Sequence, residues 1–179
     1  MKDHPIVTLS LNILLIALLA SFNDSSSPAQ HTGEQAEMGR LEQQADDLAA
    51  QSDPEGAALA IGRAAMMADL LTKKAQEPAT QDSFQAASLL YRAQELGLRA
   101  LALFDRTGGI PPAPAGICQY LSQANKKLAG SKTLLENTLA SSQEDITTRR
   151  NHLLKKIKEW QNHLQGLHED FACSVNPNE

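Results

Sequence analysis

Two cysteines, one histidine–glutamate face and a run of basic side chains are the groups in this sequence whose types and spacing admit chemistry. Cys118 and Cys173 show no Cys-x-x-Cys spacing, and no basic nest stands beside either to stabilise a thiolate. The expectation is therefore a structural disulfide rather than a redox-active pair, with two buried thiols or pairing between chains as the alternatives. His152, Glu159 and His163 fall at i, i+7 and i+11 on one side of a helix, and imidazole and carboxylate so spaced are able to ligate a divalent metal. That side also carries Lys156 and turns away from the seam Leu153, Ile157, Trp160 and Leu164. A solvated face, without metal, is expected there.

Arg149, Arg150, Lys155, Lys156 and Lys158 form the densest basic cluster, with Trp160 beside it. Such a stretch suits an acidic protein partner or an anionic membrane surface. The plainer reading is a solvated or internally paired face, since Trp160 and the neighbouring leucines belong to a helix–helix seam. Charge is unevenly spread: residues 1–114 hold eight Lys/Arg against fourteen Asp/Glu, and residues 115–179 hold eight against seven. An acidic half docking on a basic half accounts for this. The net charge of −5 argues against a nucleic-acid partner.

No phosphate-binding glycine loop, Gly-x-Ser-x-Gly elbow, His-Glu-x-x-His pair or Cys-x-x-Cys-His haem site is found. The expectation is a protein that is not an enzyme and carries no cofactor.

The elements that position these groups read as helices throughout. Hydrophobic residues make up 42% of the 179 residues and aromatics 4%; Ala, Leu, Gln, Glu and Lys abound while β-branched residues are few. Met38, Leu41, Ala45 and Leu48 mark a first helix over about 34–51. Ser52-Asp53-Pro54 stops it and caps a second, about 54–76, which is apolar almost all round and is broken by Arg63 and Asp69 before Lys73-Lys74. A helix without a polar face must be surrounded, so this one is expected at the centre. Its adjacent Met66 and Met67 are core fillers or, with Tyr91, part of a groove for a partner.

Thr80 or Asp82 is expected to cap a third, amphipathic helix over about 82–106. Gly108 and Gly109 end it, and the proline-rich stretch 110–114 gives a stiff connector. Ile117, Leu121, Ala124, Leu128, Leu135 and Leu139 mark a fourth helix. Ile146, Leu153, Ile157, Trp160, Leu164, Leu167 and Phe171 mark a fifth at four-three alternation, with Arg150 as the exception. Ser141 and Glu144 fit a capping box that starts a new helix. The rival is one rod over 115–168, about 80 Å long. The cysteines favour the turn, because an antiparallel hairpin brings Cys118 and Cys173 to one end if the chain leaves the helix after His168.

The first twenty residues carry a targeting signal: Lys2, an apolar run over 6–20, then Asn23-Asp24-Ser25-Ser26-Ser27-Pro28. The run is shorter than the ~20 residues of a membrane span. It reads as a signal peptide (1–20), or as an uncleaved tether, followed by a flexible leader (21–32). The rest is expected to be one all-α bundle over 33–173, built of hairpins 54–107 and 115–171 joined by 108–114, with a short tail (174–179). The corresponding function is an exported, periplasmic or secreted, interaction or scaffold module whose partner is another protein. A carrier of a small apolar ligand and a membrane-surface envelope protein are the alternatives.

Overall fold

A computed structural model describes residues 28–137 and 144–173, and side chains over 33–137 and 146–173. The apolar run 6–20, Ser141 and the tail 174–179 lie outside the described residues. The chain divides between Gln30 and His31 into two units; the description below concerns the second. Among the described residues all regular structure is helical: α1 (Pro28–Ala50), α2 (Pro54–Lys74), α3 (Pro78–Arg106), α4 (Ala115–Asn137) and α5 (Glu144–Asp170). None of these helices is long and apolar enough to cross a membrane.

The boundaries follow from local chemistry. Asp53 accepts a hydrogen bond from the Gly56 N–H at 2.9 Å, Pro54 occupies the first turn, and Glu55 and Lys73-Lys74 suit the two ends of the helix dipole. α3 starts four residues before the position expected from Asp82, because Pro78 already has the φ that a first turn needs and lacks the N–H that would go unpaired. α1 likewise begins at a proline, inside the stretch read as a leader. Gly108 and Gly109 take φ of +100° and +63°, and the Gly109 N–H bonds the Phe104 carbonyl at 3.0 Å to close α3.

α3 is the central element, not α2. Its Tyr91 reaches α1, Ser88 and Arg92 reach Asp69 of α2, and Phe104 stacks on Phe171 at 4.0 Å. The Ala86 carbonyl accepts a hydrogen bond from the buried Ser131 hydroxyl of α4 at 2.7 Å. Gly97 lets α5 come close: a Cβ there would lie 2.9 Å from Leu164 and 3.1 Å from Trp160. α2 is held on one side through Ala57, Ala58, Ala60, Ile61, Ala64, Ala65, Ala68 and Leu71. The apolar composition of α2 misleads because half of it is alanine. Alanine is as content in a close helix contact as in no contact, so composition does not say how many sides are covered.

α4 and α5 are separate helices that pack on each other, which overturns the single-rod alternative. Ile117, Leu121, Ala124, Leu128 and Leu135 of α4 are buried, as are Ile146, Leu153, Ile157, Leu164 and Leu167 of α5. Arg150, the break in the seam, donates from Nε to the Leu135 carbonyl at 2.8 Å and so satisfies an acceptor in the last turn of α4. At the other end Cys118 and Cys173 form a disulfide, with Cα atoms 5.6 Å apart. The chain leaves α5 two residues later than expected, after Asp170. Ala172 takes φ of +50°, the Cys173 N–H bonds the His168 carbonyl, and the Ala113 N–H bonds the Phe171 carbonyl at 2.8 Å.

Candidate interaction face

The basic cluster of α5 is divided between the interior and the surface. Lys156 is largely covered and lies 2.9 Å from Glu42 and 3.0 Å from Asp46 of α1. Burial alone would lower its pKa, but the bonds and charges of Glu42 and Asp46 outweigh that and raise it. Arg149 lies over the Phe84 ring at 4.6 Å and reaches Gln35, and Arg150 is committed to Leu135. Lys155 pairs with Glu159 one turn on, at 3.8 Å, and Lys158 is exposed. The five positions therefore do not share one outward surface. Among the described residues, Lys156 alone of the five meets carboxylates of the acidic α1.

His152, Glu159 and His163 have other neighbours as well. His152 lies 3.9 Å from Glu42, Glu159 faces Lys155, and the His163 ring meets the edge of Trp160 at 4.9 Å. Among the described residues no group of three His, Cys, Asp or Glu side chains is placed to hold a metal.

Met66, Met67 and Tyr91 do not line a common groove. Successive residues of a helix point about 100° apart, so Met66 faces out while Met67 lies half-buried against the core. Tyr91 is 3% exposed, and its hydroxyl donates to Glu42 at 3.0 Å. Burial, then the Glu42 carboxylate, pushes the phenol pKa up. Tyr91 thus serves the contact of α3 with α1.

What the structure leaves open is the outward side of α2. Leu59 is 56% exposed, Met66 64% and Leu70 40%. Arg63 and Lys73, also exposed, lie on the same stripe. Beside Leu59 is a shallow cleft of about 220 Å³, lined by Glu55 and Leu59 of α2, Arg99, Leu103 and Arg106 of α3, and Tyr120 of α4. Arg106 and Glu55 approach to 3.5 Å across its rim. Leu59 and Leu70 escape a reading that takes α2 as buried all round. The signal that marks them is Arg63 and Lys73 at four-three spacing in the same stripe, because a stripe carrying two cations faces water.

Compared with models of known protein families, with curated proteins and with solved structures, the chain shows no match. The reading of this face rests on its own chemistry.

Proposed function

We propose that this chain is an exported, non-enzymatic helical protein that acts as an interaction or scaffold module through the outward face of α2. The observation that carries the proposal is the stripe Leu59, Met66 and Leu70, three large apolar side chains left to solvent on one helix face. Its bundle is two hairpins, 54–107 and 115–171, with α1 alongside, so α2 lies at an edge where a partner can approach. Export is supported by the Cys118–Cys173 disulfide, a bond that persists in oxidising compartments, together with the apolar run 6–20 read as a signal peptide.

The alternatives have less behind them. Ligand pockets enclose about 300–1,000 Å³, and the cleft beside Leu59 is smaller, at about 220 Å³. A membrane-surface role for α5 would need the cations that instead face Glu42, Asp46, Phe84 and the Leu135 carbonyl.

A photo-crosslinking residue in place of Met66, in the cells that make the chain, tests the module. Protein adducts are expected from position 66 and not from the exposed position Gln123 on α4. Equal labelling at both positions, or no adduct at 66, overturns the reading.

A further inference from the structure

The outward positions of α2 form a ladder that reads the same in both directions. Gly56, Leu59, Arg63, Met66, Leu70 and Lys73 follow one another at steps of three, four, three, four and three residues. This is the spacing with which a helix meshes with a partner helix. Because it is palindromic, a copy of α2 running the opposite way presents the same ladder in register.

We infer that the occupant of this face is a second copy of the chain, bound antiparallel about a twofold axis passing between positions 64 and 65. The inference rests on the interaction-module reading and names its partner. In this register Leu59 meets Leu70 of the second copy, and Leu70 meets its Leu59. Met66 lies against the stem of Arg63 of the second copy, whose guanidinium extends to water. At each end Lys73 lies over Gly56, where the Asp53 carboxylate fills the place a Cβ would take, and comes beside that carboxylate and Glu55 of the other copy. Glu55 is 63% exposed, and its contact with Arg106 is a loose 3.5 Å, so it is free to take a second cation.

Charge selects this orientation. A parallel pair would stack Arg63 on Arg63, Lys73 on Lys73 and Glu55 on Glu55, and like charges placed opposite one another are destabilising. The antiparallel pair removes the two repulsions at the ends and staggers the Arg63 pair by about one turn, sets acidic first turns against basic last turns, and makes an isologous contact that closes on itself.

The experiment uses the full chain with its native disulfide intact. Leu59→Cys and Leu70→Cys variants are prepared separately, then oxidised mildly alone and as an equal mixture. Both positions are exposed, so neither change disturbs the core. The mixture is expected to give at least about tenfold more covalent dimer than either variant alone, since residues 59 and 59 of an antiparallel pair lie more than 10 Å apart along the axis. Sedimentation of the unmodified chain from micromolar to millimolar concentration is expected to show monomer and dimer, with Met66→Lys weakening association about tenfold or more. Strong homodimer from Leu59→Cys alone indicates a parallel pair and overturns the inference. So does a mixture that gives no dimer. A position-66 photo-adduct of different mass from two copies of the chain overturns this inference while leaving the module standing; absence of any adduct removes both.

Discussion

α2 and α5 flank the same central helix and solve the problem of attachment in opposite ways. α5 is rich in charge, yet its Lys156, Arg149 and Arg150 reach inward to Asp46 and Glu42, to the Phe84 ring and to the Leu135 carbonyl. Its far end is tied to α4 by Cys118–Cys173. α2 is rich in apolar residues, yet it gives α3 mainly alanines and leaves Leu59, Met66 and Leu70 outside. Composition therefore points the wrong way for both. What decides which side of a helix is covered is whether a neighbour offers a complementary group at the right height, not how polar the helix is.

The largest effect should fall on α5. The disulfide closes a separation of 55 residues, and in the chain-entropy model a loop of that size stabilises by about 4 kcal/mol. The double variant Cys118→Ala, Cys173→Ala is expected to lose about that much by denaturant midpoint. Hydrogen exchange should rise more in α5 than in α2, which has no covalent tie. Equal rises in the two helices would mean that α5 depends on the bridge no more than α2 does, and the contrast would fail.

A smaller effect belongs to the contacts of α1 with Tyr91 of α3 and Lys156 of α5. The Tyr91 phenol is pushed up from its ordinary 10.0, and the Lys156 ammonium is raised above 10.5. For both, the folded chain holds its proton to higher pH than the unfolded chain does. The stability this provides is fully present below about pH 10 and is lost as pH rises beyond the unfolded values. Tyr91→Phe removes a hydrogen bond to a carboxylate and is expected to cost about 1.5–3 kcal/mol at neutral pH. It should also flatten the alkaline fall of the urea midpoint. A variant with the native alkaline slope would show that Glu42 does not hold Tyr91 as described.

Helix order, the stop at Gly108-Gly109 and the core of α4 and α5 were legible in the sequence because each depends on groups near one another along the chain. Apolar spacing set Leu121, Leu128, Leu153, Ile157 and Leu164 inside, and Asp53-Pro54 set the start of α2. The disulfide is legible too, because Cys118 and Cys173 meet only if the chain turns between two helices. The partners of the charges were not. Lys156 meets Asp46 across 110 residues and Arg149 meets Gln35 across 114, and no periodicity connects such positions. The open face of α2 resembles a core face for a related reason. Leu59, Met66 and Leu70 recur at helical spacing just as core residues do, and the absence of a covering helix is a property of the assembly.

The smallest predicted effect separates two adjacent side chains of identical chemistry. Met66 is 64% exposed, while Met67 lies half-buried against the core. Met66→Gln should change the stability of the monomer by no more than about 0.5 kcal/mol, as surface substitutions do. Met67→Gln places an amide among apolar neighbours and should cost about 1–3 kcal/mol. Thermal or urea unfolding of the two variants at low concentration, where association is negligible, reads the difference directly. Equal losses would mean that residue 66 is covered in solution even in the monomer, and the outward face of α2 would then be core. A neutral Met66→Gln that nevertheless abolishes association would place the cost of that side chain wholly at an interface, since the same methionine contributes nothing to holding α2 on α3.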